Sequence, residues 1–361
     1  MKKVPGAFIF LFVLFLVFSS DVVVSGKETS FGTIELRYAT IYPPPPSIPG
    51  QMAQYFASLI QKYSGGKVSV LVYPGGALVA PADIFDAVLK GVVDMGISAP
   101  SYTPGRFPVL KGMDLPYPIA SAYVGTQVAD EFWRNFTPKE VEDFHLLFSG
   151  LPGPYVIASR VKAVKSPRDL KGLTIRATGG AAEWAKICGA TPVNIPSGEM
   201  FESFTKGILD AALIPMEMAK GFRLVERVKY WTIAPYTPGV VHYHVMNKRR
   251  WVELPSWAQN AIEKASTEMR EVAAKTWYYA HIDGELYAKQ NGAQVIIVGE
   301  TEGREWQVMS DPVRKAFIDD CKKKGLPGEQ YVRFVDERIE FWNRRAPSAE
   351  SIIQWAKGVY K

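Results

Sequence analysis

From residue 33 onward, short runs of alternating or continuous apolar residues are interleaved with longer runs whose apolar residues recur every three or four positions. Residues 33–39 alternate and predict a strand, and the proline run 43–46 predicts a rigid loop that cannot continue it. Residues 51–63 place Met52, Tyr55, Phe56, Leu59 and Ile60 at helical spacing, with Gly65 and Gly66 as the stop. A strand over 67–73, a helix over 82–90 ending at Gly91, and a strand over 92–98 follow. This β-α-β-α-β alternation predicts a parallel sheet with right-handed crossovers.

The pattern restarts after Gly150. Strands are predicted over 155–159, 173–176, 191–195 and 211–215, with helices over 181–188 and 199–206. Two successive α/β units of similar layout predict two lobes. A strand over 240–246 is placed to return the chain to the first of them. Residues 256–290 then form one long amphipathic stretch, with Ser256 as candidate N-cap and Gly292 as candidate stop. A helix of that length is about 50 Å long, enough to cross both lobes; a helical hairpin is the alternative. From Asp311 on, the chain reads as helices packed on the outside.

The N-terminus adds a compartment. Lys2 and Lys3 precede an unbroken apolar run over 7–18, shorter than the roughly 20 residues of a spanning helix. Small residues at Ser25 and Gly26 offer cleavage before Lys27, so residues 1–26 read as a signal peptide and the protein as periplasmic. An uncleaved anchor is the alternative. What remains of the 361 residues exceeds a single compact core, in keeping with two lobes.

The formal net charge is +6, but basic residues are interleaved with acidic ones, which argues against nucleic acid as a partner. Such a field still favours anionic solutes. Of the two cysteines, Cys188 sits in the apolar segment Trp184-Ala-Lys-Ile-Cys-Gly and reads as buried; a bridge to Cys321 stays open. No zinc-ligand spacing occurs among the four histidines, so no metal or other cofactor is expected.

The segment Leu173-Thr-Ile-Arg-Ala-Thr-Gly-Gly carries the most chemistry. A strand ends at Arg176, a Gly-Gly turn follows, and a helix begins. At the carboxyl edge of an open α/β sheet, that arrangement faces the ligand crevice. A guanidinium there pairs bidentately with a carboxylate, with helix amides nearby. An internal salt bridge is the alternative for Arg176.

Six segments resemble the substrate-binding subunits of tripartite ATP-independent periplasmic (TRAP) transporters. They are Tyr63-Ser-Gly-Gly-Lys-Val, Gly91-Val-Val-Asp-Met-Gly, Asp169-Leu-Lys-Gly-Leu-Thr-Ile-Arg, Gly189-Ala-Thr-Pro-Val, Gly207-Ile-Leu-Asp-Ala and Val245-Met-Asn-Lys-Arg-Arg-Trp. The resemblance implies an α/β, two-lobe periplasmic binding protein fold with a hinged cleft and a long helix spanning both lobes. Its boundaries would be 27–153 plus about 242–283 for lobe I, 154–241 plus about 284–340 for lobe II, and 341–361 for a helical extension. It implies that Arg176 clamps the carboxylate of a small organic acid, and that membrane permease subunits are the partners of a monomeric binding protein.

Other family positions depart from the usual pattern. A second arginine common in the family falls at Tyr155-Val156, and a family asparagine falls on Ile214. First-lobe positions that are often polar fall on Tyr42 and Tyr102, and one near the second-lobe hinge falls on Tyr236. Ser197 falls on another lining position, and Glu217 is either a lining residue or a surface carboxylate. Tyrosines and an isoleucine supply stacking area with few charges, which suits an aromatic or otherwise apolar monocarboxylate. The same tyrosines could instead pack the lobes. Two other classes remain: a periplasmic enzyme on a similar scaffold, and a ligand sensor for a membrane receptor. No Gly-x-Ser-x-Gly or Cys-x-x-Cys supports an enzyme, and His242 and His244 alternate on one strand without an obvious partner.

Overall fold

The structure is a computed structural model that describes residues 32–359; the expected signal peptide, residues 1–26, lies outside them. Eleven strands occur among the described residues. They are β1 (Ile34–Ala39), β2 (Val68–Tyr73), β3 (Met95–Ser98), β4 (Phe144–Gly150), β5 (Val156–Ser159), β6 (Thr174–Arg176), β7 (Thr191–Val193), β8 (Ala211–Ile214), β9 (Tyr230–Ile233), β10 (His242–Asn247) and β11 (Gln294–Ile297). The helices are α1 (Ile48–Tyr63), α2 (Ile84–Leu89), α3 (Ala122–Phe136), α4 (Gly180–Ile187), α5 (Met200–Thr205), α6 (Met218–Gly221), α7 (Lys248–Glu253), α8 (Ser256–Gln290), α9 (Glu300–Lys323), α10 (Gly328–Asn343) and α11 (Ala349–Val359).

The strands form two sheets, ordered β2-β1-β3-β10-β4 and β11-β9-β5-β8-β6-β7. In the first, β2, β1 and β3 are parallel as the alternation predicts, and β10 returns to lie antiparallel between β3 and β4. In the second, β7, β6 and β8 are parallel, while β5 runs antiparallel to β8 and β9. Parallel strands put the chain's functional loops at one edge, the carboxyl edge, of each sheet.

Local sequence explains the elements. α1 buries Met52, Phe56, Leu59 and Ile60, and Ser47 Oγ accepts the Gly50 amide at 3.1 Å to cap its start. α8 is one continuous 35-residue helix, not a hairpin. Its first part, with Ile262, Ala265, Met269 and Trp277, packs in a cluster with α1 and the first sheet. Its far end reaches the second sheet, where Ala288 packs with Met216 and Trp231. At Gly284 a Cβ would lie 2.4 Å from the Met216 carbonyl oxygen, so only glycine allows this approach. The expected N-cap is corrected: Pro255 holds that position and Ser256 is the first helical residue. Proline's fixed φ, with ψ 149°, already supplies the extended conformation a cap requires.

The C-terminal helices begin earlier than expected, at Glu300, and Pro312 lies inside α9. Nor are they merely external, since Trp306, Phe317, Cys321, Val335 and Ile339 are buried in the main core. Within residues 284–340, β11 pairs with β9, α9 packs on α4, and α10 packs on α3. Cys188 and Cys321 are both free and buried, so the possible bridge is absent. Burial pushes their thiols up to about 12 and about 11.

Candidate functional site

Arg176 is the last residue of β6 and is 4 % exposed. Its Nε donates to the Ile195 carbonyl at 3.2 Å and its Nη1 to the Leu213 carbonyl at 3.5 Å. These two backbone acceptors aim the guanidinium but carry no net charge. Among the described residues Arg176 forms no ion pair, so the internal salt bridge held open above is not found. A buried cation without a counter-charge is costly and calls for an anion.

The turn after Arg176 meets the first sheet's loops. Gly179 has φ 53°, and a Cβ there would lie 2.7 Å from the Ser101 Cβ. A Cβ at Gly180 would lie 3.2 Å from the Asp114 carbonyl oxygen. Lys111 Nζ adds an ion pair to Glu183 Oε1 at 2.8 Å, from the same first-sheet loop to α4. The Gly-Gly pair therefore serves close backbone approach across a cleft.

The first sheet carries a cluster of tyrosines and histidines. Tyr42 follows β1, is 3 % exposed, and meets Trp277 edge to face at 5.5 Å. Its hydroxyl lies 3.2 Å from His242 Nδ1 and 3.4 Å from His244 Nε2. Tyr38 completes the chain through its hydroxyl to His244 Nδ1. Burial holds both imidazoles neutral, with His242 lowered to about 3, so each ring has one donor and one acceptor nitrogen. These are the partners His242 and His244 lacked in the sequence.

Burial pushes the Tyr42 phenol up, and Tyr38, Tyr102, Glu217 and Tyr155 add to it. Burial likewise raises the Tyr155 phenol, with Tyr102 adding, Arg176 opposing, and Asp114 and Glu217 adding. Of the expected site residues, Tyr102 and Glu217 thus act on both Tyr42 and Tyr155, and Arg176 acts on Tyr155. Glu217 is half-buried just past β8, and burial raises its carboxyl to about 7. Ile214 shares the β8 face of Ala212, which pairs with Arg176, and is fully buried beside Val156.

Two expected residues are not in this group. Ser197, itself half-buried, opens an otherwise exposed 3-10 turn before α5. Tyr236 has φ 57°, accepts Ser310 Oγ on its carbonyl at 3.0 Å, and has Arg314, Asp336 and Asp311 as its charged neighbours. Asp114 was missed. It is buried, accepts the Val241 amide at 3.0 Å, and burial raises it to about 7 against the pull of that amide and Lys111. A lone acid inside the apolar segment Val109-Leu-Lys-Gly-Met-Asp-Leu-Pro was the available signal. A surface hollow of about 540 Å³ lies elsewhere, at the start of β1 and β3, lined by Arg37, Asp94, Arg249 and Arg250. Asp94 there already pairs with Arg37 and Arg250. Among the described residues no group of three or more His, Cys, Asp or Glu side chains is arranged to hold a metal ion.

The family of bacterial extracellular solute-binding proteins, family 7 (DctP), matches residues 39–320. The chain belongs to this family. It is a TRAP-type substrate-binding subunit with the two-lobe α/β fold its sequence implied. Among its relatives, the 2,3-diketo-L-gulonate-binding periplasmic protein of Escherichia coli is 26% identical over 302 residues, covering 79% of this chain and 86% of the relative. A solved TRAP solute-binding protein of Rhodoferax ferrireducens, in complex with copurified benzoate, matches with TM-score 0.82 and 24% identity, covering 87% of this chain and 100% of that one. A marine metagenome TRAP protein specific for aromatic acid ligands, in complex with 3-hydroxybenzoate, matches with TM-score 0.81 and 25% identity, covering 86% and 99%. Family members act outside the cytoplasm, and among the described residues no helix is long and apolar enough to cross a membrane.

Proposed function

We propose that this family 7 protein captures a small, aromatic or otherwise apolar monocarboxylate between its lobes and delivers it to TRAP membrane permease subunits. The observation that carries the reading is Arg176: a buried guanidinium held by two backbone carbonyls, with no carboxylate of its own. The ligand carboxylate supplies the missing charge, and Tyr42, Tyr102 and Tyr155 supply apolar walls for its body. Solved relatives that hold benzoate and 3-hydroxybenzoate support an aromatic acid. In this reading the protein is a monomer without enzymatic activity and without affinity for nucleic acid. It is exported by a signal peptide cleaved before Lys27, and its lobes divide at 153/154, near 241/242 and near 283/284.

Removing one member of a buried charge-assisted pair costs on the order of 2–5 kcal/mol, because the partner stays desolvated and unpaired. Arg176→Ala should therefore weaken acid binding at least ~30-fold. Arg176→Lys should recover only part of that, since an ammonium lacks the planar fork. Titration calorimetry with benzoate and related acids measures this, with circular dichroism confirming the fold. A folded Arg176→Ala protein with affinity within about threefold of the parent would overturn the assignment.

A further inference from the structure

The cleft contains a second charge that the carboxylate reading leaves unused. β6 and β8 run parallel with Arg176 level with Ala212, so Arg176 and Glu217, which follows β8, emerge at the same sheet edge. Two glycines fix where Glu217 stands. Gly284 lets α8 press against its backbone, where a Cβ would come within 2.9 Å of the Glu217 Cα. Gly221 leaves room for its carboxyl, since a Cβ there would lie 2.7 Å from Glu217 Oε2. Among the described residues Glu217 has no ion-pair partner, and Arg176 has none either. Both nonetheless act on the Tyr155 phenol, and Glu217 also acts on that of Tyr42. Arg176 and Glu217 therefore leave the second sheet at one edge, beside the same tyrosine, and neither satisfies the other.

We propose that Glu217 reads a hydroxyl group on the ligand, at the end away from the carboxylate held by Arg176, so that the protein selects hydroxylated carboxylic acids over their unsubstituted parents. The proposal rests on the carboxylate reading above. A hydroxyl suits the position better than an ammonium, because burial raises the Glu217 carboxyl to about 7, which leaves it in both protonation states near neutral pH. A hydroxyl donates to the ionised form and accepts from the protonated form, so it is served in both states. The Tyr42 hydroxyl, one of the phenols on which Glu217 acts, is already engaged by His242 and His244. A site built to hydrogen-bond a hydroxyl discriminates through the polar group it leaves unpaired when that hydroxyl is missing.

Calorimetric titration of the exported protein with matched pairs tests this: benzoate against meta- and para-hydroxybenzoate, and phenylacetate against para-hydroxyphenylacetate. The expected result is a preference of at least ~10-fold for one hydroxylated acid over its parent. Glu217→Leu should bring that ratio to about one, and Glu217→Gln, which keeps a donor and an acceptor, should retain part of it. A ratio that survives in folded Glu217→Leu, or no preference in the parent protein, overturns the proposal while leaving Arg176 untouched. Tighter binding of para-(aminomethyl)benzoate than of any hydroxylated acid overturns it in favour of ammonium recognition. If the acids bind Arg176→Ala as they bind the parent, or bind neither, the carboxylate reading itself fails and this inference falls with it.

Discussion

Asp114 shows how one buried group ties the cleft to solution conditions. Its carboxyl is enclosed by the Val241 amide and Lys111, it bears on the phenols of Tyr155 and Tyr243, and it is raised from 3.8 to about 7. The folded state therefore holds its proton more tightly than the unfolded chain. The resulting stabilisation is fully present below about pH 4 and is lost as the pH rises through about 7. Asp114→Asn keeps an acceptor for the Val241 amide but cannot titrate. Its melting temperature should vary less between those limits than that of the parent, and an equal slope in both proteins would show that another group is responsible. Arg176 was legible because strand-end arginines before a Gly-Gly turn have few local uses. Asp114 was not, since its partner Val241 lies 127 positions away in the chain. The tyrosines were expected as apolar lining, but not as partners of His242 and His244, because the phenol–imidazole contacts exist only once β10 lies in the first sheet.

The turn between β6 and α4 is the element on which the cleft depends. Gly179 combines a positive φ, which disfavours any side chain, with a position where a Cβ would overlap Ser101. Gly179→Ala should cost on the order of 1–3 kcal/mol in the arrangement that brings the turn against the first-sheet loop, so acid affinity should fall about tenfold or more. Far-UV circular dichroism of the ligand-free protein should be unchanged. Affinity within about threefold of the parent would mean that this close approach is dispensable for binding. Elements with a dominant period were readable in advance. α8 was placed over 256–290 because small or apolar residues recur every three or four positions with no glycine or proline before Gly284. α3 and β4 were not read, although Ser121 caps α3 and Val124, Val128, Phe132 and Trp133 mark its buried face. The residues before α3 are rich in proline, which carries neither a helical nor a strand period. The start of α9 was missed for a related reason, because Pro312 suggests a helix boundary but lies within the helix.

At the scale of the molecule, the chain passes between the two sheets where β4 leads to β5 and where β9 leads to β10, and α8 runs alongside. The first of these crossings is packed on the long helix: a Cβ at Gly150 would lie 2.4 Å from Trp277 Nε1, and one at Gly153 would lie 3.2 Å from His281 Nδ1. A second set of contacts joins the sheets across the cleft, at Gly179 with Ser101 and at Lys111 with Glu183. The Lys111–Glu183 pair is partly exposed, and such pairs contribute only ~0–1 kcal/mol. That pair is too weak to hold the lobes together by itself. In the proposed function a bound carboxylate shifts the balance, because it would meet Arg176 and the first-lobe tyrosines together only when the lobes approach. A ligand moves such an equilibrium by its differential affinity for the two states. Small-angle scattering should therefore give a smaller radius of gyration with a saturating acid than without one. Arg176→Ala at the same acid concentration should keep the larger value. A profile that does not change, in a sample whose binding is confirmed by calorimetry, would show that the acid enters without lobe closure.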